Sequence, residues 1–330
     1  MTVKIGLIGA GSIANPHVNG YLKIPDQATI TAVADVVTEN ATKRAEQAGG
    51  ADTYSDYHEL IAKADIDAVD ICLPHHLHAD AIITAAAAGK HVLCEKPLCI
   101  TTAEAATIAT AVKDSGITLM CAHNQLFMPP VAKARELIQN GTLGQVYEIR
   151  TTDSFFNGGL NRDMGWRGSV ETAGGGELID TGYHPTYLLL NLAQAEPTEV
   201  TAMTSRYRLP MEGEDSAQVL VRFADGSVGN IVTSWAYRPA TITERFSIVA
   251  EKGSMWSDGT SLSYQIDEQT TTLHFPAVDT FAAEIADFAA CITEKRRPIN
   301  TEEEGINVLK VILGAYKSTA DKSIVSLADL

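Results

Sequence analysis

The run Val3-Lys4-Ile5-Gly6-Leu7-Ile8-Gly9-Ala10-Gly11-Ser12-Ile13-Ala14 constrains this chain more than any other stretch. Apolar residues at 3, 5, 7 and 8 read as a parallel strand buried on both faces. The small residues that follow give G-x-G-x-x-A at the strand's carboxyl end, a dinucleotide-binding fingerprint. Each has a physical role: Gly9 permits a tight turn, Gly11 lets main chain approach a pyrophosphate, and Ala14 lets the following helix pack close to the strand. With Ser12 and Ile13 leading into that helix, its first N–H groups face the anion. Taken alone, the motif also fits a glycine-rich turn with no ligand.

At 330 residues the chain exceeds what one hydrophobic core organises, so two domains are expected. Asp and Glu number 41 against 25 Lys and Arg, and the resulting charge of −16 repels polyanions, so nucleic acid is excluded as an expected partner. Lys295-Arg296-Arg297 reads as a solvated helix end. The sequence opens directly into its first strand, and no apolar run approaches the length needed to cross a bilayer, so a cytoplasmic protein with no membrane partner is expected. The five cysteines are an odd number without a C-x-x-C pair, which suits reduced, buried thiols.

Ala28 to Asp35 reads as a second strand. Asp35, about twenty residues past the fingerprint, stands where a carboxylate bonds the adenosine ribose hydroxyls; capping the next helix is a compatible role. Val36 follows, with no adjacent cation to offset repulsion of a 2′-phosphate, so NAD is expected over NADP. A third run, Ala68 to Leu73, ends in Pro74-His75-His76-Leu77-His78. Leu73, Pro74, His75 and His78 are read as lining a cofactor crevice, to which Glu95 and Lys96 further along also belong, and no metal is expected because no Cys or carboxylate nearby in sequence completes a ligand set. Ala79 to Ala88 is helical by pattern, Gly89 stops it, and His91 to Cys94 forms another strand that runs into Glu95-Lys96-Pro97. Lys96, beside Glu95 at a strand's carboxyl end, points where a substrate would meet the nicotinamide; a surface lysine at a strand end is the equal alternative. These units make a doubly wound parallel sheet.

The fingerprint with His17, the run Pro74 to His78, and Ala88-Gly89-Lys90-His91-Val92-Leu93-Cys94-Glu95-Lys96-Pro97 together resemble the Gfo/Idh/MocA family of NAD(P)-dependent oxidoreductases. The resemblance implies a Rossmann domain followed by an α+β domain with a large, mostly antiparallel open sheet, and hydride transfer on sugars, inositols or related polyols. Domains are expected at 1–123, binding NAD, and 124–330, binding substrate and mediating oligomerisation. Asn124-Gln125-Leu126-Phe127-Met128-Pro129 resembles the family's N-R-R-F-x-P, with Gln125 and Leu126 in place of the arginines.

A second dense constellation joins Trp166-Arg167 to Gly174-Gly175-Gly176-Glu177-Leu178-Ile179-Asp180-Thr181-Gly182-Tyr183-His184. Three consecutive glycines suggest close main-chain approach. Asp180 and His184 are four apart, so one helical turn would set both on a face, unless Pro185 starts or kinks that helix. Trp166 and Arg167 are candidate substrate contacts with Asn124, or a stacked structural pair. From Thr198 onward, alternating segments separated by turns such as Asp225-Gly226 read as an antiparallel sheet. Phe281 to Thr293 and Gly305 to Thr319 have helical spacing.

By resemblance, the catalytic residues are Lys96, Asp180 and His184: His184 takes the hydroxyl proton, Asp180 orients it, and Lys96 polarises the substrate oxygen, with proton transfer through Lys96 as the alternative. Lys96, Asn124, Trp166, Arg167, Asp180 and His184 form the expected substrate-binding set. Other functions compatible with this scaffold are NAD-dependent glycoside hydrolysis and non-catalytic sensing. A homodimer or homotetramer through the second domain's sheet is expected, since one face of that sheet lacks helices to cover it.

Overall fold

A computed structural model describes residues 2–158, 161–238 and 244–330. The chain forms two compact units, Met1–Asn124 with Asp279–Ile306, and Gln125–Val278 with Asn307–Leu330. Among the described residues, no helix is long and apolar enough to cross a membrane.

In the first unit, β1 (Val3–Ile8), α1 (Ala14–Tyr21), β2 (Ala28–Ala34), α2 (Thr38–Gln47), β3 (Asp52–Tyr54), α3 (Tyr57–Lys63) and β4 (Ala68–Ile71) follow in sequence. They continue with α4 (His78–Ala87), β5 (His91–Glu95), α5 (Thr102–Ser115) and β6 (Leu119–Ala122). The six strands are parallel in the order β3-β2-β1-β4-β5-β6, the doubly wound arrangement expected from the sequence. β1 lies between β2 and β4, which explains its unbroken apolar run: Ile5, Leu7 and Ile8 are fully buried, each burial worth roughly 1.5–3 kcal/mol. Strand order reverses between β1 and β4, so a ligand crevice opens at their carboxyl ends.

The second unit begins with α6 (Pro129–Gln139), β7 (Val146–Ser154), α7 (Val170–Ala173), α8 (Glu177–Asp180) and α9 (Tyr183–Ala193). There follow β8 (Pro197–Ser205), β9 (Ser216–Phe223), β10 (Val228–Ser234), β11 (Phe246–Ala250), β12 (Gly253–Ser257), β13 (Ser261–Ile266) and β14 (Gln269–His274). After α10 (Thr280–Glu294) and α11 (Glu302–Asp321), β15 (Val325–Ser326) adds an edge strand to this unit's sheet. The nine strands run β14-β13-β12-β11-β7-β10-β9-β8-β15, antiparallel except for β7 with β10. Its inner face, with Ile149, Val219, Val221, Ile231, Phe246, Ile248 and Met255 buried, carries the core, and α9 packs on β7 and β10.

Asp279–Ile306, assigned to the second domain by the sequence reading, packs with the first unit. α10 lies on α1 because Gly20 leaves room for it: a Cβ there would stand 2.7 Å from Ile285 Cδ1. Asn300 donates through its side-chain amide to the Cys121 carbonyl and fixes the end of the segment.

Candidate active site

The fingerprint loop is built from main-chain geometry. Gly9 has φ +88, a conformation that L side chains avoid, and a Cβ there would lie 2.5 Å from the Cys72 carbonyl oxygen. At Gly11 the space a Cβ would occupy is open, and Gly11 and Ser12 are exposed. The N-cap of α1 is Ile13, which makes no side-chain cap hydrogen bond to compete with an anion for these N–H groups. Asp35, at the end of β2, accepts from the Ala10 N–H at 2.7 Å and from the Val37 N–H at 2.7 Å. It braces the loop rather than capping α2 directly, and it is half-exposed, so its oxygens can also accept ribose hydroxyls. The residues fit a dinucleotide.

Arg44, on α2, meets the fingerprint loop and was missed by the sequence reading. Its guanidinium donates to the Gly11 carbonyl at 3.2 Å, to Asn15 at 2.8 Å and to Gln47 at 2.7 Å. The signal was its place on the buried face of α2 with Ala41 and Ala45. A cation therefore does stand at the loop, though absent from the neighbourhood of Val36 in sequence.

At the end of β4, Leu73 and Pro74 are half-exposed, and a turn of 3-10 helix spans His75–Leu77. His75 is buried. His78 is fully buried, its Nδ1 2.7 Å from the Pro97 carbonyl and its Nε2 2.8 Å from the Leu73 carbonyl. Burial lowers its pKa against the pull of those carbonyls. His78 thus ties the loop after β4 to the turn after β5.

Glu95 is the last residue of β5, and half-exposed Lys96 follows at the sheet's carboxyl edge. The Glu95 side chain turns inward, with Oε1 3.0 Å from His17 Nε2 and Oε2 accepting the Lys96 N–H at 3.0 Å. Burial opposes its charge, but the His17 hydrogen bond and charge, together with Lys96, hold the carboxyl below the usual range. His17, Asp70 and Cys72 present possible ligand atoms within 4.8 Å of one another. The imidazole nitrogens a metal would need are directed at Asp70 and Glu95, and burial pushes the Cys72 thiol up to about 12. Asn124 belongs to this unit, where its amide donates to Thr280 Oγ1 at 3.2 Å.

In the second unit, a 3-10 turn at Gly165–Gly168 presents Trp166 and Arg167. The Arg167 guanidinium stacks 4.2 Å from the Trp166 ring centre, and its Nε pairs with Asp180 Oδ2 at 2.5 Å. Stacking and ion pairing therefore coexist at Arg167. The close approach anticipated for the glycine triplet is to the chain itself: a Cβ at Gly175 would collide with Tyr316, and one at Gly176 with the Glu214 backbone. Glu177 is fully buried with Thr233 donating to its Oε1 at 2.5 Å, and burial holds its carboxyl well above the ordinary range. Asp180, not Glu177, is the acid paired with a cation.

Asp180 and His184 belong to two successive helices. Asp180 ends α8, Thr181 and Gly182 intervene, and His184 is the second residue of α9. Pro185 occupies the first turn of α9, where its missing N–H costs no helical bond. His184 Nδ1 lies 2.8 Å from the Tyr187 hydroxyl, which accepts the Gln125 N–H at 3.2 Å. Tyr187 is a second residue the sequence reading missed; its i+3 spacing from His184 on α9 was the available signal. A further cavity of about 740 Å³ is lined by Tyr207, Arg208, Ala236 and Tyr237. Trp235, which precedes Ala236 in the chain, donates its indole N–H to Thr181 Oγ1 at 2.8 Å.

Comparison with known proteins accounts for both units. Residues 3–123 match the family model described as an oxidoreductase family with an NAD-binding Rossmann fold, and residues 131–256 match the GFO/IDH/MocA C-terminal domain. An inositol 2-dehydrogenase from Rhizobium meliloti is 30% identical over 99% of this chain and 100% of its own. A levoglucosan dehydrogenase from Pseudarthrobacter phenanthrenivorans is 30% identical over 69% of this chain and 66% of its own. A solved levoglucosan dehydrogenase in complex with NADH and levoglucosan superimposes with a TM-score of 0.93 at 27% identity, covering 99% of this chain and 100% of that one. An open-edged fingerprint, a lysine at the end of β5 and an Asp180–His184 segment on an open sheet thus have one explanation: the chain belongs to the Gfo/Idh/MocA family of NAD-binding oxidoreductases.

Proposed function

We propose that this chain oxidises a secondary hydroxyl of a sugar, inositol or related polyol, with Lys96, Asp180 and His184 as its catalytic residues. The activity class is that of an NAD-dependent sugar or polyol oxidoreductase, as the named dehydrogenases of the family indicate; glycoside hydrolysis and non-catalytic sensing are not favoured. The observation that carries the reading is the placement of Lys96 on the same sheet edge as the accessible fingerprint loop, two strands away across β4.

Bound NAD⁺ supplies the hydride acceptor. Gly11, Ser12 and Ile13 offer main-chain N–H groups to its pyrophosphate, and Asp35 receives the ribose hydroxyls. Lys96 provides a positive charge where the substrate oxygen becomes an alkoxide. His184 takes the hydroxyl proton on Nε2 when Nδ1–H donates to the Tyr187 hydroxyl oxygen, so Tyr187 shares the orienting role first given to Asp180 alone. Asp180, braced by Arg167, contributes negative charge that favours the imidazolium so formed. Asn124, Trp166 and Arg167 complete the proposed substrate set.

A homodimer or homotetramer through the open sheet is supported by its outer face, where register places Met203, Leu220 and Val249 on one side, all exposed. A cytoplasmic location is supported by five buried, unbridged cysteines. The test of activity is a screen for NADH formation across inositols, aldoses, sugar acids and amino sugars. NADH formation with at least one polyol or sugar is expected; release of sugar from a nitrophenyl glycoside without net NADH would overturn the reading.

A further inference from the structure

The first unit buries a chain of ionisable groups that the hydride-transfer scheme does not use. His17, on the inner face of α1, has no exposed surface; its Nδ1 is 2.8 Å from Asp70 Oδ2 and its Nε2 is 3.0 Å from Glu95 Oε1. Ionised carboxylates only accept, so two carboxylate partners require both ring nitrogens to donate, and the ring is an imidazolium. Tyr21 donates its hydroxyl to the same Asp70 oxygen at 3.0 Å, and the Cys72 thiol lies 3.7 Å from the other. From α10, Phe281 packs against the imidazole with ring centres 5.3 Å apart. Glu284, also on α10, is fully buried, and neither of its oxygens has a hydrogen-bond partner. Burial pushes the Glu284 carboxyl well above the usual carboxylate range. Burial works against the His17 charge too, but Asp70 outweighs it and keeps the ring protonated well above its ordinary range.

The other Glu95 oxygen accepts the Lys96 N–H at 3.0 Å, so one carboxylate joins the buried imidazolium to the main chain of the proposed catalytic lysine. We propose that His17 is a positioning residue for Lys96, acting through Glu95: the ring fixes the Glu95 carboxylate, and that carboxylate fixes the backbone from which Lys96 projects. The inference rests on the reading of Lys96 as catalytic. Without the imidazolium, Glu95 is a buried charge with its principal partner removed, and it must take up a proton or swing away. Either change weakens or breaks the bond to the Lys96 N–H and displaces the ammonium, while His17 lies on α1 past the Gly11–Ile13 N–H groups proposed to face the cofactor. Loss of turnover without loss of cofactor binding is the expected signature.

The test compares His17→Gln, Glu95→Gln, the double variant and Lys96→Ala, using NAD⁺ and the polyol that gives the fastest NADH formation in the parent. Each of the first two is expected to lower kcat about tenfold to a hundredfold, a displacement-sized effect, with the Kd for NAD⁺ within about threefold of the parent. The double variant is expected to be no slower than the worse single one, because both changes break the same connection. An unchanged kcat in either single variant, or losses that multiply in the double, would overturn the proposal. Should Lys96→Ala retain turnover, the assignment of Lys96 falls; should it lose turnover while His17→Gln does not, only the role of His17 falls. Imidazole ¹⁵N NMR of the parent, which needs no variant to fold, should show both His17 nitrogens protonated at pH 8, and a neutral ring would overturn the proposal equally.

Discussion

Two glycines in one loop, two residues apart, respond oppositely to the same added methyl group. At Gly9 the left-handed backbone costs an alanine about 1–2 kcal/mol. The new Cβ also meets the Cys72 carbonyl at 2.5 Å, main chain that cannot rotate away, which adds roughly 1–3 kcal/mol of overpacking. Gly9→Ala should therefore lose about 2–5 kcal/mol of stability before any cofactor is added. At Gly11 a Cβ meets nothing within 4 Å. Gly11→Ala should keep the stability of the cofactor-free protein, or gain up to about 1 kcal/mol through a less flexible unfolded chain. The same methyl occupies the approach to the loop's N–H groups, so losing one charge-assisted bond to a phosphate, about 1.5–3 kcal/mol, weakens NAD⁺ roughly tenfold to a hundredfold. Urea unfolding of the cofactor-free proteins and calorimetric NAD⁺ titration separate the two effects. A Gly11→Ala protein that binds NAD⁺ within twofold of the parent, or a Gly9→Ala protein of parental stability, would refute the account of the loop.

Asp35→Ser removes the charged acceptor at the ribose and should narrow the preference for NAD⁺ over NADP⁺ by about tenfold; a parent that binds NADP⁺ more tightly in the same titration contradicts the ribose argument. Burial lowers the His123 pKa from 6.5 to about 3, so between these values the unfolded chain binds the extra proton and stability falls as pH falls. At about 1.4 kcal/mol per unit, this one group should remove about 2 kcal/mol between pH 7 and pH 5, a loss that urea unfolding should find absent from His123→Asn. Arg167→Leu should change stability by less than about 1 kcal/mol, because the arginine is substantially exposed, yet lower kcat by removing the ion pair that braces Asp180. Light scattering should report a dimer or larger assembly, with Leu220→Lys shifting it toward monomer; a monomeric parent removes the oligomer reading.

Features set by adjacent residues were legible from sequence. The strand before Gly9 and the lysine after Glu95 depend on local pattern and turn chemistry, and the structure places both as that pattern requires. The three-residue β3 was not, since two of its residues are exposed and it offers no apolar alternation. The return of α10 to the first unit depends on one small residue, Gly20, meeting Ile285 more than 260 positions later, and no periodicity encodes that partnership. His17 and Glu95 were each visible as letters of motifs, but 78 residues separate them and only the crossovers of the sheet bring them to hydrogen-bonding distance. Asp180 and His184 fall in successive helices, α8 and α9, joined through Thr181 and Gly182, whose backbone stays in the right-handed helical region. Tyr187 stood at helical spacing from His184 all along, yet its hydroxyl could equally have served the core.

The central claim is direct hydride transfer supported by Lys96. It is tested most directly by following deuterium from the carbinol carbon of the best substrate into NADH in a single turnover, with the parent and Lys96→Ala. The account predicts one deuterium retained per NADH formed by the parent, and transfer slowed about a hundredfold or more in the variant with NAD⁺ still bound. Deuterium lost to water, or transfer at the parental rate without Lys96, would contradict it.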